Sequence, residues 1–469
     1  MEESPQAKSH QHLGLADTIA AIATPMGEGG LGVIRISGSQ AFAIAASLFH
    51  SSNTDIHNVS SHTLHHGWVG ERSHKLDEAI LAVFRAPRSY TGEDVVEVSC
   101  HGSPIVLKAV VDLCLSKGAR LAKPGEFTER RFLNGKMDLS QAEAVADLVS
   151  AKSKKAQKVA LDQLQGRLSH QIKTVRDPLI RFLAHLEANL DFVEEDLPLL
   201  SQSDLKKGVE EGIHALQRLL ATRREGLILK QGLRVGIVGK PNVGKSSLFN
   251  ALLDTDRAIV TAIPGTTRDV LTEQANWNGF PVVLIDTAGL RPTKDPVEKK
   301  GTQRAKRILE TADVLIFVLD GSKPLSKEDG RIYKDMKVKK RIVAINKTDK
   351  KTALSDTKVQ TRFHSKPIQT SALKGTGLTS LKEAIFSLMS VPESETQDTC
   401  VVTNMRHFNH LERSQTFLQK AQEAFVQKKS EEEVALDIRQ AIRELDHITG
   451  ESVSDDMLDA IFRQFCIGK

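Results

Sequence analysis

The sequence predicts a multidomain protein with α/β and all-α parts. Its 469 residues are about three times a common single-domain length, and 40% hydrophobic with 26% charged residues is typical of globular chains. A glycine-rich loop follows a β-type run, and helical periodicity lies on both sides of that region. We therefore expect an N-terminal α+β domain and a helical domain built from two chain segments, with a P-loop α/β domain inserted between them.

Composition narrows the classes of function. A net charge of +5 is compatible with RNA contact, while 4% aromatic residues leaves few side chains on which bases could stack. The four cysteines form no CxxC pair, which argues against a disulfide framework or a zinc site and favours a reducing compartment. The longest apolar runs are too short to span a bilayer, so we expect a cytoplasmic protein without membrane contact.

The first predicted domain covers residues 1–133. Strands are predicted at four short apolar runs, residues 18–24, 32–37, 78–85 and 94–102. Helices are predicted for residues 41–49 and after Pro104, which makes the domain α+β. The His- and Ser-rich stretch from His57 to His74 predicts loop or edge structure.

Two blocks, residues 134–228 and 393–469, have helical periodicity. In the first block Leu179, Phe182, Leu183, Leu186 and Leu190 form one apolar stripe, and Pro178 is expected in the first turn of that helix. The second block repeats the pattern at Leu411, Leu418, Ala421, Phe425, Val434, Ile438, Ile442 and Leu445. The two blocks are expected to form one helical domain.

The domain between them, residues 229–392, contains a GxxxxGK[ST] motif. A β-type run at Arg234–Val238 leads into Gly239–Ser246 and then into an apolar helix start, which is the context that a P-loop requires. Backbone N–H groups of such a loop cradle phosphates at a helix N-terminus. Lys245 is expected at the β- and γ-phosphates, and the Ser246 hydroxyl is expected to bind Mg²⁺.

Three further motifs follow the P-loop in the order of a GTP-binding domain. Asp286-Thr287-Ala288-Gly289 ends a buried-strand run, where an acid serves the metal ion and a glycine N–H reaches a γ-phosphate. Asp349, after Asn346 and Lys347, can accept hydrogen bonds from guanine N1–H and its exocyclic amine, which adenine does not offer. Ser371 follows another short strand and is expected to support the base. The set predicts a Ras-like GTPase domain.

The residues that assist hydrolysis are less evident. Thr267, in the loop that starts at Thr261, is expected to be the second Mg²⁺ ligand. Leu290 stands where Ras-like GTPases have a water-orienting glutamine, and leucine cannot orient water. Glu298 is the nearest acid that could replace it, although a solvated surface glutamate fits the sequence as well.

Further motifs outside this domain carry a family resemblance. They are Pro25–Gly38, Thr91–Asp94 with Val96–Gly102, Pro124–Arg130, Phe132–Glu143 and the C-terminal Phe465–Lys469. With the GTPase motifs, they make nearly the whole chain resemble the MnmE (TrmE) family of tRNA uridine-34 modification GTPases. The residues expected at GTP are Asn242, Val243, Gly244, Lys245, Ser246, Ser247, Thr261, Thr266, Thr267, Asp286, Thr287, Ala288, Gly289, Asn346, Lys347, Asp349 and Ser371.

The resemblance implies a folate-binding-type N-terminal domain that also dimerises the protein. It would hold a tetrahydrofolate derivative of the 5-formyl or methylene type through Arg35, Glu97, Lys136 and Lys469. Because folate is an anion with a hydrogen-bonding ring, we expect the cations at one end of the site and Glu97 at the other. The role of Cys466, as nucleophile or as a packing residue, stays open.

The resemblance also implies K⁺-dependent hydrolysis. K⁺ would replace an arginine finger and be held by Asn242, Thr261, Ile263 and Thr266, while Glu298 orients the water. The expected partner is an FAD-containing, MnmG-like protein in a heterotetramer that forms the carboxymethylaminomethyl or aminomethyl group at C5 of the tRNA wobble uridine. The alternative is a regulatory or ribosome-assembly GTPase, similar to Era or Der, without one-carbon chemistry.

Overall fold

The protein is analysed from a computed structural model that describes residues 17–51, 55–191, 202–254, 272–286, 311–336, 340–389 and 400–469. These residues belong to two compact units. The first unit comprises Met1–Ala146, Gln163–Arg176 and Ile442–Lys469, and the second comprises Asp147–Asp162 and Asp177–Ala441. No described helix is long and apolar enough to cross a membrane.

The first unit contains a seven-stranded sheet of order β3-β4-β5-β6-β2-β1-β7. The strands are β1 (Ile19–Ile22), β2 (Gly29–Ser37), β3 (Phe49–His50), β4 (Thr63–Glu71), β5 (His74–Phe84), β6 (Val95–Gly102) and β7 (Arg120–Leu121). Its pairs are antiparallel except for β1 with β7. The four predicted strands are confirmed. The histidine-rich stretch differs from expectation in part, because half of it forms the strand β4, next to the two-residue edge strand β3, while residues 57–62 lie outside the strands.

One face of this sheet is buried by two helices, α1 (Ala41–Leu48) and α2 (Pro104–Ser116). Alternation along β2 turns Ile34 and Ile36 into this core, where they pack with Leu107 of α2. On the same strand Arg35 therefore points to the opposite face of the sheet. Both predicted helices are confirmed.

The C-terminal segment packs within the first unit. The helices concerned are α3 (Glu126–Leu133), α4 (Leu139–Ser150), α14 (Glu431–Thr449) and α15 (Asp455–Phe462). Of α4 and α14, the residues up to Ala146 and from Ile442 belong to this unit. Phe462 and Phe465 share an apolar core with Leu139. Beyond α15, the Gly125 N–H donates to Cys466 O at 3.3 Å and the Phe127 N–H donates to Lys469 O at 3.2 Å. These hydrogen bonds hold the chain end against the N-terminal domain.

The second unit contains a six-stranded sheet of order β13-β12-β11-β8-β10-β9, parallel except for β9 with β10. The strands are β8 (Leu233–Val238), β9 (Thr272–Trp277), β10 (Phe280–Asp286), β11 (Val314–Asp320), β12 (Arg341–Asn346) and β13 (Ile368–Gln369). Four helices flank it, α9 (Lys245–Asp254), α10 (Lys327–Asp335), α11 (Asp356–Phe363) and α12 (Leu378–Leu388). Apolar cores on both faces explain why the strands read as continuous hydrophobic runs.

The remaining helices come from both predicted helical blocks. They are α5 (Lys154–Leu164), α6 (Arg167–Asp191), α7 (Gln202–Ala221), α8 (Arg223–Gln231) and α13 (Met405–Val426). Helix α7 lies along α13, and Gln422 Nε2 donates to Glu210 Oε1 at 3.2 Å. The prediction for Pro178 is wrong, because it lies inside α6 rather than in a first turn. Leu179 and Leu186 beside it are buried, so packing of the apolar stripe keeps the helix continuous despite the missing N–H.

Candidate functional site

A glycine-rich loop joins β8 to α9 at the carboxyl end of the parallel sheet. Asn242 and Gly244 have left-handed backbone angles, with φ of 64° and 95°. A Cβ on Gly239 would lie 2.5 Å from Val318 O, and one on Gly244 would lie 2.3 Å from Asn346 Nδ2. Only glycine fits at both positions, so the backbone itself forms the cradle that a phosphate chain needs.

Lys245, the first residue of α9, lies across this loop. Its ammonium group donates to Gly239 O at 2.9 Å and to Lys240 O at 2.8 Å. The positive group is thus held at the mouth of the loop, where the N-terminus of α9 adds partial positive charge. Ser246 and Ser247 lie exposed in the first turn of the same helix. The arrangement fits a nucleotide phosphate with a metal ion beside Ser246.

Asn346, at the end of β12, connects the loop to a second one. It is only 1% exposed. Its Nδ2 donates to Val243 O at 3.1 Å and to Gly244 O at 3.4 Å, and its Oδ1 accepts from the Ala372 N–H at 3.0 Å. A buried amide with both ends bonded holds two loops in one geometry. Asn346 therefore fixes the relative position of the two loops that form the site.

Lys347 reaches the phosphate loop from the other side. Its ammonium group donates to Asn242 O at 2.5 Å and forms a 2.7 Å ion pair with Asp320. Burial opposes ionisation of Asp320, but the hydrogen bonds from Lys347 and Ser322 together lower the pKa of its carboxyl. The sequence analysis did not identify Asp320. The available signal was an acidic residue at the carboxyl end of the buried strand β11.

Asp349 and Ser371 lie together at the end of the site expected to hold the base. Ser371 Oγ donates to Asp349 Oδ1 at 2.6 Å, and this hydrogen bond lowers the pKa of the Asp349 carboxyl. Ser371 is buried and its hydroxyl also accepts from the Lys374 N–H at 3.2 Å. The carboxylate is thereby oriented and ionised at neutral pH, as recognition of guanine requires.

Several predicted residues lie outside the described part of the chain. They are Thr261, Ile263, Thr266, Thr267, Thr287, Ala288, Gly289 and Glu298. Asp286 is the last residue of β10, opposite Ile237 of β8, so its backbone stands beside the start of the phosphate loop. Among the described residues, no group of three or more His, Cys, Asp or Glu side chains is placed to hold a metal ion.

The residues predicted for an anionic ligand in the first unit have a different arrangement from the one expected. Arg35 on β2 and Glu97 on β6 are cross-strand neighbours whose side chains form a 2.7 Å ion pair, so they do not mark opposite ends of a site. The Arg35 guanidinium also lies 5.2 Å from the Tyr90 ring centroid and 5.5 Å from that of Phe127. The ion pair and the half-buried Tyr90 ring are partly exposed and suit an aromatic, hydrogen-bonding ligand, whereas the Phe127 ring is fully buried and contacts Arg35 from the core.

The chain end reaches this surface. Arg35 Nη1 donates to Gly468 O at 3.4 Å, and Lys469 follows directly. A Cβ on Gly468 would lie 2.2 Å from Ile22 O, so only glycine allows this approach. Cys466 is exposed, whereas Cys100, Cys114 and Cys400 are buried. The structure thus brings Lys469 to the part of the fold that holds Arg35, as the sequence prediction required.

An ion-pair network beneath this surface was missed by sequence reasoning. Arg130, 2% exposed, contacts Asp17, Glu93 and Glu126. Burial opposes ionisation of Glu126, yet hydrogen bonds from Arg120, from the Lys123 N–H and from Arg130 lower the pKa of its carboxyl. The available signal was the charged residues in the motifs ending at Asp94 and Arg130, since a charge buried in such a network requires its partners.

Comparisons with known proteins agree over most of the chain. The family described as MnmE helical domain matches residues 139–466, and the family described as GTP-binding protein TrmE N-terminus matches residues 18–136. A tRNA modification GTPase MnmE of Levilactobacillus brevis is 44% identical over 97% of this chain and 98% of that protein. One of Aquifex aeolicus is 43% identical over 97% of this chain and 100% of that protein. A solved structure of Era with MgGDPNP and a 16S ribosomal RNA segment aligns over 47% of this chain and 90% of that chain, at 26% identity and a TM-score of 0.28.

Proposed function

The chain belongs to the MnmE family of tRNA modification GTPases, and from that premise we propose that it is a K⁺-dependent enzyme acting on the wobble uridine. Its role as a GTP hydrolase in tRNA modification follows from relatives 43–44% identical along 97% of the chain. The proposed reaction forms the carboxymethylaminomethyl or aminomethyl group at C5 of uridine 34. The main structural support for GTP binding is the buried Asn346, which joins the phosphate loop at Val243 to the loop at Ala372 that follows Ser371.

We propose three domains, built from four chain segments in the order that the sequence predicts. They are residues 1–133 for folate binding and dimerisation, 134–228 and 393–469 for the helical domain, and 229–392 for the G domain. The packing of α7 along α13 supports a helical domain made from both segments, with the G domain inserted between them. The location is proposed to be cytoplasmic.

In the proposed mechanism the chain's own residues hold the triphosphate. The backbone of Asn242–Gly244 and the helix terminus bind phosphate oxygens, and Lys245 exchanges its two carbonyl contacts for the β- and γ-phosphates. Ser246 and Thr267 would hold Mg²⁺, which offsets phosphate charge when bound. Asp349 accepts from the guanine edge while Ser371 keeps its carboxylate oriented.

Hydrolysis needs two functions that the phosphate loop does not supply. We assign orientation of the attacking water to Glu298, because Leu290 has no hydrogen-bonding side chain. We assign compensation of developing charge to K⁺, held by Asn242, Thr261, Ile263 and Thr266. Within the described residues, the left-handed Asn242 is exposed at the loop, which fits an oxygen ligand there.

The one-carbon unit is proposed to come from a tetrahydrofolate derivative of the 5-formyl or methylene type. Its ring would lie at the paired Arg35 and Glu97, with Lys136 and Lys469 as further contacts. The half-buried Tyr90 ring beside Arg35 and the chain end held at Gly468 support this site. The residues present fit the ligand, since a carboxylate suits the N–H edge of a pterin and aromatic faces suit its plane.

The proposed assembly is a homodimer joined by an FAD-containing, MnmG-like protein as a heterotetramer that binds tRNA. On the sheet face that carries Arg35, the apolar side chains Leu64, Trp68 and Ile80 are exposed. Neighbouring apolar side chains on a sheet face are common at contacts between copies of a chain, which supports dimerisation through this domain.

The test combines two measurements on the full-length protein. GTP hydrolysis is compared in K⁺ and in Na⁺ at equal ionic strength, and tRNA from a deletion strain is analysed for the wobble modification with and without the restored gene. We expect a rate loss in Na⁺ on the order of 10³, within the range of arginine-finger effects, and restoration of the modification. Equal rates in both salts would remove K⁺ from the mechanism. A wobble uridine that is modified without the gene would contradict the proposed reaction.

A further inference from the structure

A cavity of about 360 Å³ lies in the first unit beside Lys136. Its walls come from the turn that precedes α4, from Lys173 on α6, and from Gly450 and Glu451 after α14. This volume falls at the small end of the range for sites that bind small molecules, about 300–1,000 Å³. The family motifs include Lys136 only, whereas the fold places Lys173 of the distant helix α6 in the same cavity wall.

The charged groups of this cavity that can bind a ligand are two lysine ammonium groups. Among the described residues, neither Lys136 nor Lys173 makes an ion pair, and both are exposed. The acids in the wall are already engaged, because Asp138 Oδ1 accepts from the Gln141 N–H at 3.0 Å and Glu451 forms an ion pair with Arg176. Two ammonium groups without acidic partners are suited to two carboxylates of one ligand.

A series of contacts links the Arg35 site to Lys136 in the cavity wall. The Tyr90 ring has the Arg35 guanidinium 5.2 Å from its centroid and the Arg131 guanidinium at 4.9 Å. Two residues further along the chain, a Cβ on Gly92 would lie 3.3 Å from Lys136 Cε. Cationic side chains therefore follow one another from the ring surface to the cavity, in the order Arg35, Arg131 and Lys136.

We propose that this cavity binds the γ-linked polyglutamate tail of the folate, with Lys136 and Lys173 holding its carboxylates. The inference rests on the folate-binding function proposed above and adds the form of folate that the site prefers. A monoglutamate carries an α- and a γ-carboxylate, and each added γ-linked glutamate extends the tail and adds one more. We expect the monoglutamate to engage Lys136 and only the longer tail to extend to Lys173. The walled cavity beside the ring surface favours a small-molecule tail over a phosphate of bound RNA.

The experiment compares tetrahydrofolate monoglutamate and triglutamate by calorimetric titration of the full-length protein at low salt. We expect the triglutamate to bind about fivefold more tightly, the upper range for one solvent-exposed ion pair, and the gain to shrink as salt is added. Lys173→Met should reduce triglutamate affinity to the monoglutamate value and leave the monoglutamate unchanged, and Lys173→Arg should restore the preference. Lys108→Met, which removes an exposed lysine of α2 outside the cavity, is the matched control and should leave both affinities unchanged.

The outcomes separate this inference from the function on which it rests. Equal affinity of the two folates in the parent protein would overturn the tail site while the folate function stands. Binding of neither form would refute the folate function itself. If Lys173→Met lowers tRNA affinity and leaves the folate preference intact, the cavity binds RNA phosphate and the tail proposal is wrong.

Discussion

Replacing Asn346 by alanine should weaken nucleotide binding although Asn346 is buried beneath the loops. Its side chain joins the phosphate loop, at Val243 O, to the loop that orients Asp349, at the Ala372 N–H. Each of these two hydrogen bonds is worth about 1 kcal/mol, and a buried partner left unpaired adds about 1 kcal/mol more. A loss of 2–3 kcal/mol, on the order of these terms, corresponds to about 30- to 150-fold weaker binding.

The assay is fluorescence titration with an N-methylanthraniloyl derivative of GDP, supported by dissociation rates. Asn346→Asp keeps an acceptor for the Ala372 N–H but sets an oxygen against Val243 O and Gly244 O, so we expect it to bind no better than the alanine variant. Asn134→Ala is the matched control, because Asn134 Nδ2 donates to Thr91 O in the other unit. GDP affinity of Asn346→Ala within threefold of the parent would refute the coupling of the two loops through this amide.

Three further predictions concern recognition of the guanine base, orientation of the attacking water and the proposed folate site. Asp349→Asn should weaken GTP binding and favour a xanthosine nucleotide, since an amide donates to the carbonyl that xanthine adds; unchanged GTP affinity in a competition titration would contradict this. Glu298→Ala should abolish most turnover and spare GTP binding, because orienting water acts in the transition state; single-turnover rates within a few-fold of the parent would assign the task to another residue. Deletion of Cys466–Lys469 should abolish tRNA modification and leave basal GTP hydrolysis unchanged. Arg35→Ala should weaken tetrahydrofolate binding and likewise leave GTP hydrolysis unchanged. Unchanged folate affinity in both variants would leave the first unit without its proposed ligand contacts.

Predictions made from local patterns agree best with the structure in the second unit. The runs predicted at Arg234–Val238 and before Asp286 form the parallel strands β8 and β10, and the phosphate loop lies between β8 and α9. Such a motif is local, because one loop of six residues with two essential glycines contains the whole cradle. The predictions for Lys245 and Ser246 rest on the same local motif.

Local patterns predict less well where distant segments decide the outcome. Pro178 has the preference of a first-turn residue, but burial of Leu179 and Leu186 extends α6 on both sides of it. The stretch from His57 to His74 lacks a strong strand pattern, yet pairing with β5 orders Thr63–Glu71 as a strand. In both cases tertiary packing outweighs local propensity.

By itself the sequence determined the family, because motifs made of residues close together in the chain identify it. It also predicts guanine specificity at Asp349 and the order of the domains. Only the tertiary structure decided that Arg35 and Glu97 pair with each other, that Asp320 holds Lys347, and that the chain end reaches the N-terminal domain. It also brought Lys173 to the cavity beside Lys136. The physical reason is that ion pairs and cavities depend on distances between segments, which strand register and helix packing set and which local sequence does not encode.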